Sequence, residues 1–106
     1  MTKLTVLEPI GGRHGLVFDC ATAADAAIAA AGHEPNGYFW EGVVEFGAPE
    51  LAAEIELDSE GSMFSAWGPP DVLARLAEFL APLVADGDAV TRLIERADSE
   101  GFEFDD

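Results

Sequence analysis

Leu4, Val6 and Ile10 lead into Gly11-Gly12-Arg13-His14-Gly15, and Leu16-Val17-Phe18 follows. Two short runs of branched and aromatic side chains on either side of a glycine-rich connection predict a β-hairpin. Thr22 then stands three residues ahead of Asp25. That is the spacing of a capping box, in which side chains satisfy free amide groups at a helix start. With Gly32 as a stop, the alanine-rich run predicts a helix over about 22–31. His33-Glu34-Pro35-Asn36-Gly37 reads as a turn, because Pro35 restricts the residue before it and Asn-Gly tolerates positive φ.

In the next segment, Phe39 and Val43, and Trp40 and Val44, are each four residues apart and so share a helical face. The same residues also alternate passably as a strand, and Gly42 costs a helix about 1 kcal/mol relative to alanine, yet the helix is the better fit. Gly47 and Pro49 end it. From Ala53 the period changes. Ala53, Ile55 and Leu57 share one face and Glu54, Glu56 and Asp58 the other, which predicts a half-buried strand. Ser59-Glu60-Gly61-Ser62 supplies a turn, and Met63 to Trp67 returns as the antiparallel partner.

Val72, Leu73, Leu76, Phe79, Leu80 and Leu83 follow helical spacing behind Asp71, whose charge suits a first turn. Pro82 lacks the N–H that would bond the Glu78 carbonyl, so this helix is expected to kink or end near Ala81. Asp86-Gly87-Asp88 breaks the chain before a short amphipathic helix with Val90, Leu93, Ile94 and Ala97 on its apolar face. The tail from Gly101 to Asp106 alternates aromatic and acidic residues and predicts a last strand at a sheet edge. Hairpins separated by helix pairs point to a single α+β domain, with a mainly antiparallel sheet and helices packed on one face.

Charge changes this picture more than size does. The 106 residues carry 21 Asp and Glu against five Lys and Arg, a formal charge of −16, while a mean hydropathy of +0.14 is too apolar for a disordered acidic tail. Nucleic acid and anionic membranes both require clustered basic charge, so neither is an expected partner. A cation or a basic protein is. Between Arg13 and Arg75 there is no Lys or Arg at all, while eleven Asp and Glu occur. The expected strand row Glu54, Glu56, Asp58 would set like charges about 6.6 to 6.8 Å apart, a spacing a basic surface can meet in register. A solvated strand face is the commoner reading of such a row. A lone Cys20, no signal-like N-terminal segment and no apolar run near the ~20 residues of a membrane span lead to a cytoplasmic expectation.

Catalytic apparatus is hard to find. The chain has no phosphate-binding glycine loop, no nucleophile elbow and no histidine pair at metal-ligand spacing. His14 and His33 fall in expected turns and read as unrelated surface imidazoles, and Cys20 as a small buried hydrophobe. No cofactor and no metal are expected. Asp86-Gly87-Asp88 and Asp58-Ser59-Glu60 could offer oxygens to calcium, but neither continues into a twelve-position loop. Of Tyr38-Phe39-Trp40, Phe39 and Trp40 are expected in the core and Tyr38 exposed, with Trp67 the next aromatic anchor because it sits at a strand end.

The segment Asn36-Gly37-Tyr38-Phe39-Trp40-Glu41, with Leu57-Asp58-Ser59-Glu60-Gly61-Ser62-Met63-Phe64-Ser65-Ala66 and the helix from Asp71, resembles the immunity protein fifty-one family of bacterial polymorphic toxin systems. The resemblance covers about 32–97, and Ser59 stands where the family pattern has a proline. It implies an antidote that binds a cognate toxin and blocks it without doing chemistry. It also implies structural roles for Gly37, in a turn with positive φ, and for Trp40, in the core. Joined to the charge, it points to a basic toxin such as a nuclease, met by Glu34, Tyr38, Glu41, Glu54, Glu56, Asp58, Glu60 and Trp67. An acidic adaptor docking on some other basic protein and a small carboxylate-based hydrolase are the alternatives.

Overall fold

The computed structural model describes residues 4–10 and 13–104. Its elements run β1 (Thr5–Ile10), β2 (Arg13–Asp19), α1 (Asp25–Ala30), α2 (Gly37–Gly47), α3 (Pro49–Ala52), β3 (Glu56–Leu57), β4 (Met63–Gly68), α4 (Pro70–Ala85) and α5 (Gly87–Ser99). Both expected hairpins form, and β2 pairs with β4 to join them into one four-stranded antiparallel sheet of order β1-β2-β4-β3. The fold is α+β.

Local signals account for most helix ends. Asp25 Oδ1 accepts the N–H of Thr22 at 3.0 Å, and Thr22 Oγ1 accepts that of Ala24 at 3.1 Å, so the capping box is made. It closes a turn first, and α1 starts at Asp25, three residues later than expected. Asn36 Oδ1 accepts the N–H of Phe39 at 2.8 Å, a cap that decides α2 in favour of helix over strand. Asp86 does the same for α5 by accepting from Asp88 at 2.9 Å. Here Asp86-Gly87-Asp88 is a helix start.

One sheet face turns Leu16, Phe18, Phe64 and Ala66 into the core, where they meet Trp40, Phe39, Val43 and Leu73. Phe18 stacks on Phe64 at 5.0 Å and meets Trp40 edge-on at 5.5 Å. Trp40 is fully buried, and its Nε1 finds no acceptor, so the indole is held there by packing.

Four expectations are corrected. Only Glu56 and Leu57 of the segment 53–58 pair as strand, because 49–52 coil into α3 and the chain reaches β4 just at Trp67 and Ala66. Pro82 does not end α4. The helix runs on to Ala85, its last turn anchored by the buried Leu83 and Val84. Gly37 is the first residue of α2, and among the described residues only Gly32 and Gly101 have positive φ. A Cβ at Gly37 would collide with the carbonyl oxygens of Glu60 and Met63, so glycine is required there by close approach.

Finally, 102–104 add no strand, and 105–106 lie outside the described residues. Phe104 instead stacks on Phe39 at 4.9 Å and lies across Gly42, where a Cβ would come within 2.7 Å of its ring. Phe102 touches Phe104 at 5.1 Å and Phe46 at 5.3 Å. The alternating tail is an aromatic clamp on α2.

Candidate functional site on the open sheet face

Strand alternation leaves Gly15, Val17 and Asp19 of β2, and Met63, Ser65 and Trp67 of β4, on the face away from the helices. The register sets Gly15 opposite Trp67, Val17 opposite Ser65 and Asp19 opposite Met63, with Glu56 of β3 on the other side of Trp67. The indole of Trp67 lies across Gly15. A Cβ on Gly15 would fall 2.8 to 3.0 Å from three of its ring carbons, so only glycine lets the ring lie down on the sheet.

A relay of hydrogen bonds fixes that ring. Trp67 Nε1 donates to Ser65 Oγ at 2.9 Å, the Ser65 N–H to Ser59 Oγ at 3.0 Å, and the Ser59 N–H to Glu41 Oε2 at 2.9 Å. The Asp58 N–H donates to the Ser65 carbonyl and that of Glu60 to Met63, each at 2.9 Å. The first turn of α2 abuts the same loop, with the Gly37 N–H reaching the Gly61 carbonyl at 3.3 Å. Around the pinned ring opens a cavity of about 280 Å³, lined by Val17, Asp58, Glu60, Met63, Ser65 and Trp67.

Three of the eight expected contact residues therefore meet at one place: Asp58, Glu60 and Trp67. Glu56 is exposed beside them. Tyr38, 44% exposed, follows Gly37 at the end of α2 that abuts the loop. Glu41 works inward, holding Ser59. Glu54 leaves the expected row because it sits in the turn after α3, with Oε2 4.0 Å from Arg75 Nη2. Glu34 is exposed in the link before α2. Sequence reasoning missed Met63, which is 42% exposed, and the two serines of the relay. Alternation along Met63-Phe64-Ser65-Ala66-Trp67 carried the signal for the first.

An aromatic ring, a thioether and two carboxylates around an open cavity suit the recognition of cationic and apolar side chains. Neither histidine lines it. His14 belongs to β2, not to a turn, and His33 is half-buried among rings, 5.6 Å from Phe39 and 5.0 Å from Phe104, not a surface imidazole. Burial pushes the Cys20 thiol up to about 11, with the Asp19 and Asp25 charges adding to it and a backbone hydrogen bond at Phe64 opposing. Such a thiol stays protonated and is a poor nucleophile at neutral pH. Among the described residues no three His, Cys, Asp or Glu side chains group closely enough to hold a metal ion.

A family model described as Immunity protein 51 matches residues 15–99, from the glycine under Trp67 to the end of α5. The chain belongs to the immunity protein 51 family. No curated protein and no solved structure matches it. The family match contains every residue that lines the cavity around Trp67 and all five described helices, and leaves out β1 and the aromatic tail. Membership of the immunity protein 51 family supports an immunity role, with a toxin as the partner. Among the described residues no helix is long and apolar enough to cross a membrane.

Proposed function

We propose that this protein neutralises a cognate toxin of a bacterial polymorphic toxin system, in the cytoplasm, by docking the open face of its sheet on a basic surface of that toxin. The observation that supports this is the face itself, where an indole laid flat and pinned by hydrogen bonds stands beside an exposed methionine and the carboxylates of Asp58 and Glu60. Rigid aromatic anchors ringed by charge are what strong interfaces are built from, because they lose little entropy on binding. A charge of −16 draws a positive partner from a distance. A nuclease, which grips phosphates in a basic cleft, is the target best matched by that field. Inhibition by contact asks for no chemistry from the antidote.

The test is charge reversal, with Glu56→Lys, Asp58→Lys and Glu60→Lys combined and binding followed against the cognate toxin domain. Association should slow at least ~tenfold at low salt, and less at high salt, while the unfolding transition stays in place. An unchanged association rate would move the interface off this face.

A further inference from the structure

Away from the open face, α4 and α5 enclose a groove of about 520 Å³, lined by Phe79, Pro82, Leu83, Ala89, Arg92, Leu93 and Arg96. Two of the chain's five basic residues stand on it, one helical turn apart, and among the described residues no carboxylate lines it. Arg96 lies over the Phe46 ring at 5.1 Å and reaches Glu100 at 3.9 Å. Arg92 is exposed, and among the described residues it makes no ion pair, although acids outnumber bases about fourfold. Pro82, which lines the groove, lacks the N–H that would bond the Glu78 carbonyl.

We propose that this groove is a second docking site, which takes a peptide segment of a partner protein that sets a large apolar side chain next to a carboxylate. The apolar side chain enters against Phe79, Leu83 and Leu93. The carboxylate pairs with the Arg92 guanidinium, whose fork of donors fits it bidentately. An apolar floor flanked by two guanidinium groups matches a segment that carries both kinds of side chain. The net charge does not forbid such an occupant, because fields fade within about 8 Å at physiological salt and the two guanidinium groups act at contact. The site is independent of the sheet face.

The probe is the blocked peptide acetyl-Gly-Leu-Asp-Phe-Glu-Leu-amide, titrated into the ¹⁵N-labelled protein and followed by amide shifts. Shifts should fall on 79–96, and Arg92→Glu should weaken binding at least ~tenfold while Arg92→Lys weakens it less. The same peptide with Asn and Gln in place of its acids should bind like the Arg92→Glu pair. Shifts on Met63–Gly68, no shifts at millimolar peptide, or equal binding by Arg92→Glu with an unchanged melting curve would each overturn the proposal. So would dodecanoate binding in the groove as tightly as the peptide, which would make it a site for apolar anions. Concentration-dependent self-association that Arg92→Glu abolishes would assign the groove to a second copy of the chain, and overturn the proposal equally.

Discussion

Gly37→Ala tests how α2 holds the acidic loop. The added Cβ would press on the Glu60 and Met63 carbonyl oxygens and sit 2.7 Å from Ser59 Cβ, and two of these three neighbours are backbone, which cannot swing aside. Overpacking of this kind costs about 1–3 kcal/mol. Alanine's better helix propensity returns less than about 1 kcal/mol at a first helical position. The net loss of about 1–2 kcal/mol corresponds, at roughly 4–8 °C per kcal/mol for a domain of this size, to a melting temperature lower by about 5–15 °C. Gly61→Ala is the matched control in the same loop, since nothing lies within 4 Å of its Cβ position and its φ is not positive. It should be neutral or gain a few tenths of a kcal/mol by restricting the unfolded chain. Circular dichroism melts and urea titrations of the three proteins decide the matter. A Gly37→Ala protein as stable as the parent would refute the close approach of α2 to the loop, and with it the account of how Asp58 and Glu60 are placed.

Gly42→Ala should destabilise the native protein, because its Cβ meets Phe104 at 2.7 Å, but stabilise a Phe104→Ala background by about 1 kcal/mol through helix propensity. A double-mutant cycle that shows no change of sign would remove the aromatic clamp from the argument. For Cys20 the folded pKa of about 11 lies above the unfolded 9.0, so the unfolded chain ionises first as pH rises. The stability tied to the protonated thiol, on the order of 3 kcal/mol, is whole below pH 9 and lost between 9 and about 11. Melting curves against Cys20→Ala over that range should converge, and parallel curves would count against a buried thiol.

Much of this architecture was legible because short-range chemistry wrote it. Thr22 and Asp25 announce a helix start through side chains that reach their own backbone, and the 3.6-residue period of 72–83 has no competing reading. Asn36 and Asp86 cap helices in the same way, although the sequence reads them as turn and break residues. Where the sequence misled, a distant partner decided. Alternation in 53–58 suits a strand, but how much of it pairs depends on how far the chain runs after α3 before it meets β4. The tail alternates like a strand, yet Phe104 found better company on Phe39 and Gly42 than any edge would offer. Pro82 suggested a helix end, and burial of Leu83 and Val84 outweighed one missing hydrogen bond. At the site, Asp58, Glu60 and Trp67 could be named from charge and strand position. Ser59 and Ser65 could not, because hydroxyls choose partners only after the strands are in register, and Glu41, named as a contact, is spent on holding the loop.

The short β3 has a consequence for how the protein behaves while it waits for a toxin. It forms one edge of the sheet and offers two paired residues. A long bare edge is a template on which another chain can add a strand, and repeated addition leads to fibres. Two residues give little to copy, and Glu56 and Asp58, both exposed, set charges along and just beyond that rim. The carboxylates offered to a basic partner thus also charge the edge of the sheet, which disfavours the addition of a strand from another copy of the chain.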